Sequence, residues 1–100
     1  MDKQEIINRI SFARTKANLS ARALSQKIDM NDGYINRLES KKDFLPSVEV
    51  LLNIINECGI TPEEFFYHNS FDYEEDREII QLLKRAKPEI KKIILELLNI

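Results

Sequence analysis

Residues 19–39 read LSARALSQKIDMNDGYINRLE, and this segment is the most informative part of the sequence about the architecture. Ser20 is a favourable N-cap for a helix over residues 21–28, because its hydroxyl can accept a bond from the first turn. Asn31 is a favourable cap for a second helix over residues 32–40. Only two residues separate the first helix from this cap, so the stretch predicts two short helices joined by a tight turn.

The apolar residues of this stretch are spaced so that both helices can share one core, with Ser25 as the small residue at their contact. The core residues are Leu24, Ile28, Met30, Ile35 and Leu38. The outer face of the second helix is predicted to hold Asp32, Gly33, Tyr34, Asn36 and Arg37. A polar outer face after a tight turn is typical of a helix-turn-helix unit, whose second helix contacts base edges in the major groove.

The sequence on both sides of this motif predicts further helices and no strand. A first helix is expected over residues 3–17, a fourth over residues 47–57 and a fifth over residues 62–67. The fourth is expected to end at Gly59. Its predicted buried stripe is Val48, Leu51, Leu52, Ile55 and Cys58. The fold class is therefore predicted to be all-α.

The length and the charge distribution also bear on function. With 100 residues and a hydrophobic fraction of 43%, the chain can form one domain with a small appendage. Basic residues outnumber acidic ones by three over residues 1–43, whereas acidic residues outnumber basic ones by five over residues 44–100. This asymmetry favours one half that faces DNA and another that faces away from it.

Several classes of function are disfavoured by the composition. The chain has one cysteine, Cys58, and one histidine, His68, so it offers neither an intrachain disulfide nor a cysteine–histidine metal cluster. We expect no cofactor and no enzymatic activity, because there is also no glycine-rich phosphate loop. No signal-peptide-like segment and no apolar run of about 18 residues occurs, so we expect a cytoplasmic protein without a membrane segment.

The pattern from Ile6 to Phe66 resembles the phage-repressor-like (Cro/repressor, or Xre-like) helix-turn-helix family. The matching segments include Leu19-Ser20, Leu24-Ser25, Arg37-Leu38-Glu39, Pro46-Ser47 and Gly59-Ile60-Thr61-Pro62-Glu63-Glu64-Phe65-Phe66. The resemblance covers about 60 of the 100 residues. It implies a five-helix, lambda-repressor-like domain over residues 1–68 that binds double-stranded DNA, usually as a homodimer on a palindromic operator.

The resemblance also implies roles for individual residues. Arg37 is the expected reader of guanine, Asn36 can pair with adenine or bind a phosphate, and Tyr34 can reach a phosphate or a thymine methyl group. The family's salt bridge between the first and third helices falls on Arg14 and Glu39. The full set of expected DNA contacts is Ser20, Asn31, Asp32, Gly33, Tyr34, Asn36, Arg37, Ser40, Lys41 and Lys42, of which Ser20, Ser40, Lys41 and Lys42 contact phosphates.

Three positions depart from the family pattern. Ala21 stands where a long polar side chain often touches DNA. Asp29 replaces the usual turn glycine; like Asn18 after the first helix, it tolerates a left-handed backbone better than most residues. Asp32 places a negative charge at the start of the recognition helix, where it can cap the helix, accept from a cytosine amine or repel phosphate.

Residues 69–100 lie beyond the five-helix pattern and predict a helical hairpin. Its two helices are expected over residues 73–86 and 88–99, and both have wide apolar faces. We expect these faces to mediate homodimerisation, and packing against the chain's own first domain is the alternative. The dimerisation residues are predicted to be Ile79, Leu83, Ile90, Ile93, Ile94, Leu97 and Leu98.

Two interpretations of function stay open at this point. The first is a transcriptional repressor that acts by occupying its operator. Its control would come from its concentration or from a regulatory protein partner, because 100 residues leave no room for an inducer-binding domain. The alternative is a helix-turn-helix fold that acts as a protein-interaction module of the antitoxin or antirepressor type, which the acidic isoelectric point and Asp32 favour.

Overall fold

The computed structural model describes residues 1–40, 44–69 and 71–99 of the chain. Over these ranges the backbone forms seven helices and no strand, which confirms the all-α prediction. The helices are α1 (Lys3–Lys16), α2 (Ala21–Lys27), α3 (Tyr34–Ser40), α4 (Val48–Glu57), α5 (Pro62–Phe65), α6 (Tyr73–Arg85) and α7 (Pro88–Leu98). None of these seven helices is both long enough and apolar enough to cross a membrane.

The chain divides into two compact units, Met1–Phe66 and Tyr67–Ile100. The first contains α1 to α5, and the second contains α6 and α7. This division falls two residues before the boundary that the sequence suggested after residue 68.

The helix ends of the first unit are set by local backbone chemistry. At the start of α2, Ser20 Oγ accepts a hydrogen bond from the Ala23 N–H at 3.0 Å, which satisfies a donor that has no partner within the helix. Asn18 and Asp29, which follow α1 and α2, both have a φ of 58°, and Gly59 after α4 has a φ of 73°. These angles confirm that the chain turns through left-handed residues at the three predicted positions.

The core of the first unit is formed by side chains from all five of its helices. Its fully buried residues are Ile10, Leu24, Ser25, Ile35, Leu38, Ile54 and Ile55. Ile28 is also buried and Met30 is partly buried, so the shared core predicted for the two helices of the motif is confirmed. Cys58 belongs to this core, and burial raises the pKa of its thiol.

The buried face of α4 differs from the predicted stripe. Val48 and Leu52 are 75% and 47% exposed, whereas Ile54, which was not assigned to the core, is 0% exposed. The apolar residues of α4 cover more than half of its circumference, so two overlapping stripes have the correct helical spacing. The contacts of α4 with α1, α2 and α5 select the stripe that contains Ile54, Ile55 and Cys58.

The second unit consists of α6 and α7, joined through Ala86 and Lys87. At its start the Tyr73 ring is buried and packs edge-to-face on the Tyr67 ring, with centroids 5.2 Å apart. The Tyr67 hydroxyl donates a hydrogen bond to the Asp76 carboxylate, and this bond raises the pKa of Tyr67 to about 12. These contacts anchor the first turn of α6.

The two helices of the second unit expose many apolar side chains. No described residue of α7 is buried, and eight apolar side chains of α6 and α7 are between 44% and 78% exposed. They are Ile79, Ile80, Leu82, Ile90, Ile93, Leu95, Leu97 and Leu98. The two helices also flank a groove of about 350 Å³, lined by Ile80, Leu83, Lys84, Lys91, Ile94, Leu95 and Leu98. Monomeric proteins rarely expose a continuous apolar surface of this kind.

Candidate nucleic-acid interface

The relative position of α2 and α3 is fixed by Ser25, which is fully buried where the two helices meet. Its hydroxyl donates to the Ala21 carbonyl oxygen at 2.7 Å and accepts from the Ile35 N–H at 3.0 Å. Ser25 therefore provides the side-chain acceptor for the first turn of α3. The sequence predicted a small residue here but not this bond. A serine at an apolar contact, where alanine or glycine would also fit, was the one sign in the sequence that its hydroxyl makes a hydrogen bond.

Two expectations for the start of the recognition helix are wrong. The helix begins at Tyr34 rather than at Asp32, and its first turn is capped by Ser25 rather than by Asn31. Asn31 Oδ1 instead accepts a hydrogen bond from Arg37 Nη2 at 3.1 Å. Asn31 is not needed as a cap, because the buried Ile35 N–H already donates to Ser25 on α2.

Tyr34 also lies elsewhere than predicted. The sequence pattern predicts it on the outer face of α3, but this prediction is wrong, because its side chain is 6% exposed and belongs to the core. Its ring packs edge-to-face on Phe44, with centroids 5.7 Å apart. Burial raises the pKa of the Tyr34 hydroxyl. An aromatic residue before Ile35 can turn either way at the first turn of a helix, and Phe44 provides an apolar surface that the motif alone does not reveal.

The recognition helix is joined to α1 by Arg14 and Glu39. Arg14 Nε and Nη2 donate to the two carboxylate oxygens of Glu39 at 2.7 and 2.9 Å, and Arg14 Nη1 donates to the Leu19 carbonyl at 2.9 Å. Ser11 Oγ donates to Glu39 Oε1 at 2.5 Å. The bidentate geometry fixes the angle between the two side chains as well as their distance. The end of α3 is thereby held against α1.

This network shifts the ionisation of both partners. The hydrogen bond to Glu39 raises the pKa of Arg14, despite the opposing effect of burial. Burial by itself would raise the pKa of Glu39, but the hydrogen bonds from Arg14 and Ser11 outweigh it and hold that pKa below its ordinary value. Glu39 is therefore ionised at neutral pH and stabilises the folded state in that form.

Glu39→Gln is expected to lower the free energy of unfolding by about 1–3 kcal/mol at neutral pH. Because the folded-state pKa of Glu39 is depressed, its contribution is complete above the ordinary value of about 4.3 and is lost as the pH falls through the lower, folded-state value. Urea unfolding of both proteins between pH 7 and pH 3 should therefore show the difference closing only below about pH 4. Glu57→Gln, at an exposed position, is the control. A gap independent of pH would contradict this role of Glu39.

The other described residues that were predicted to contact DNA all lie at the surface of the motif. They are Ser20, Asn31, Asp32, Gly33, Asn36, Arg37 and Ser40, and all seven are exposed. Ser40 Oγ donates to the Asn36 carbonyl within its own helix, at 2.6 Å. Lys41 and Lys42, also predicted to contact phosphates, lie outside the described residues.

Two further exposed residues, Arg22 and Gln26, contact Asp32, and the sequence pattern does not indicate a role for them. Arg22 Nε lies 3.3 Å from Asp32 Oδ2, and Gln26 Nε2 donates to Asp32 Oδ1 at 3.1 Å. Arg22 and Gln26 are four residues apart on the outer face of α2, so helical periodicity could have placed them side by side. Their shared partner across the turn could not be inferred from spacing.

A family model described as Helix-turn-helix (HTH_3) matches residues 10–65, which is more than half of the chain. The matched segment begins in α1, contains both helices of the motif and ends at the last residue of α5. No curated protein and no solved structure matches the chain at a significant level. The family comprises DNA-binding regulatory domains of the Xre/Cro and lambda-repressor type. This chain belongs to that helix-turn-helix family and is a DNA-binding regulator of the Xre/Cro type.

Proposed function

We propose that this protein is a transcriptional repressor that occupies a palindromic operator as a homodimer. The observation that carries the proposal is a recognition helix that is held from two sides and has Asn36 and Arg37 exposed on its surface. Ser25 ties the first turn of α3 to α2, and Glu39 ties its last turns to α1. A rigidly placed helix can present its side chains to base edges with little loss of conformational entropy on binding.

Among these exposed residues, Arg37 is the proposed reader of a guanine, since a guanidinium can donate to O6 and N7 together. Asn36, on the same exposed side, pairs with adenine or binds a phosphate in this proposal. At Gly33 an added Cβ would meet only Asn31 Oδ1, at 3.9 Å, so packing within the protein does not demand glycine there. Because Gly33 has no side chain, its backbone can approach DNA closely in this proposal. Ser20, Ser40, Lys41 and Lys42 complete the proposal as phosphate contacts.

The dimer part of the proposal rests on the second unit. Six of its exposed or groove-lining apolar residues lie on α7. A surface of this composition needs a partner, and a second copy supplies an identical one by two-fold symmetry. Two recognition helices related by that axis would contact successive major grooves on the same side of the duplex.

In vitro selection from randomised duplex DNA, with the full chain at near-physiological salt, tests this function. We expect enrichment of a palindrome whose half-site centres lie about 34 Å apart, which is one helical turn. Enrichment of a single short half-site would support sequence-specific binding but contradict the proposal that the protein binds as a homodimer. No enrichment by the folded chain would contradict the repressor proposal and favour a protein-interaction module instead.

Arg37→Ala is expected to weaken binding to the selected site by about 1–3 kcal/mol and to relax the preference at one base pair. The side chain is exposed, so the unfolding temperature should change little. Lys27→Ala removes the same charge from an exposed position at the end of α2 and serves as the control. Fluorescence anisotropy with all four base pairs at each position measures both the loss of affinity and the change in base preference. A loss that is uniform across sequences would assign Arg37 to the phosphate backbone.

A further inference from the structure

We propose that Asp32 selects cytosine at one position of the operator, and that Arg22 and Gln26 of α2 hold its carboxylate for that purpose. The inference rests on the proposed function, because it concerns the same DNA-facing surface. It adds a specificity-determining residue and two positioning residues, which come from the first helix of the motif rather than from the recognition helix.

Both oxygens of the Asp32 carboxylate are engaged by α2. Oδ2 faces Arg22 Nε at 3.3 Å, and Oδ1 accepts from Gln26 Nε2 at 3.1 Å. All three side chains are nevertheless exposed, so further lone pairs of the carboxylate are open to a ligand from outside. An ion pair this exposed contributes little to folding stability, so stability does not explain why these three groups converge.

The charge of Asp32 would be unfavourable on a surface that approaches phosphates. An isolated carboxylate there would repel the DNA backbone and weaken binding to every sequence. Arg22 supplies a compensating positive charge from the same surface. The contact with Asp32 is made through Nε, and the terminal nitrogens of a guanidinium can donate to a neighbouring phosphate. The pair therefore keeps a carboxylate at the interface without net repulsion.

The chemistry of the base edges then decides which base Asp32 accepts. A carboxylate is an acceptor only, and guanine O6 and N7 and thymine O4 are acceptors too, so these bases are rejected. Adenine presents its N6 amine beside the N7 acceptor, which opposes the second carboxylate oxygen. Cytosine presents the N4 amine alone. Cytosine is therefore the base that Asp32 favours.

The test repeats the in vitro selection with Asp32→Asn and Asp32→Ala, and then measures the affinity of each protein for the four versions of the relevant base pair. We expect the wild-type chain to favour cytosine by about 10-fold. Asp32→Asn should transfer the preference to adenine, since an amide can both donate to N7 and accept from N6. Asp32→Ala should show no preference at this position.

Asp29→Asn is the matched control, because it removes the same charge from an exposed residue of the same motif. The base preference should be unchanged in this variant. Circular dichroism establishes that each variant is folded.

Arg22 and Gln26 are tested as positioning residues. Arg22→Ala should weaken binding to all sequences, and adding Asp32→Ala to it should recover part of that loss, because the repulsive charge is then gone. Gln26→Ala should reduce the ratio of affinities for cytosine and adenine while the unfolding temperature stays the same. A purely structural role for Gln26 would leave that ratio unaltered.

The inference and the proposed function fail in different ways. If the wild-type chain selects a motif and Asp32→Asn selects the same motif with the same preferences, the role of Asp32 is wrong and sequence reading stands. If the folded wild-type chain selects no motif, both are wrong.

Discussion

Ile93→Asp is expected to disrupt the proposed homodimer and leave a monomer. Ile93 lies on α7 with its side chain 52% exposed, within the apolar surface proposed to contact a second copy. A two-fold interface contains every residue twice, so one substitution would bury two carboxylates without partners. Sedimentation velocity over a range of protein concentrations measures the change. Affinity for the palindromic site should fall by about 100-fold or more, because the second half-site is no longer bound intramolecularly.

Val48→Asp is the control for this prediction. Val48 is another exposed aliphatic side chain, but it lies on α4 in the first unit. Aspartate at this position should leave the sedimentation coefficient unchanged. If Ile93→Asp and the wild-type protein have the same sedimentation coefficient, α7 is not a dimer interface, and the apolar surface of the second unit needs another explanation.

Ile54→Ala is expected to lower the free energy of unfolding by about 2–5 kcal/mol. The side chain is fully buried in the core of the first unit, and its truncation removes apolar contacts and leaves a cavity. Domains of this size are stable by only about 5–15 kcal/mol, so a substantial part of the total would be lost. Urea unfolding followed by circular dichroism provides the measurement.

Leu52→Ala distinguishes the observed orientation of α4 from the predicted one. Leu52 is as apolar as Ile54 and lies half a turn away on the same helix, but it is largely exposed. Its truncation should cost less than about 1 kcal/mol. If the two substitutions were equally costly, or if Leu52→Ala were the worse, the face of α4 that packs on the core would be the one that the sequence predicted.

The parts of the fold that could be predicted depend on interactions close in sequence. The positions of Asn18, Asp29 and Gly59 follow from which residues tolerate a left-handed backbone. Ser20 follows from the chemistry of an unsatisfied first turn. The core of the motif follows from helical spacing, because its apolar faces are narrow. In each case the residue type at one position, or the spacing within one segment, is enough to predict the local structure.

The parts that could not be predicted depend on distant elements. The orientation of α4 is ambiguous from its own sequence, and only its packing against other helices resolves it. Tyr34 turns inward because Phe44, ten residues later, offers its ring an edge-to-face contact. At the candidate interface, Arg22 and Gln26 were missed because their partner Asp32 lies beyond the turn of the motif. Exposed polar side chains have no periodic pattern that would identify such a partner.

Because Cys58 is buried, the reactivity of its thiol can be used to measure local opening of the core. Thiol reagents attack the thiolate, and the raised pKa and the surrounding core leave little of it accessible in the folded chain. Since the sequence contains no other cysteine, the rate of alkylation measures how often the core around α4 opens. A cysteine introduced on the surface would react with a fluorophore long before Cys58 does. A variant with one introduced surface cysteine can therefore be labelled at that site without first replacing Cys58.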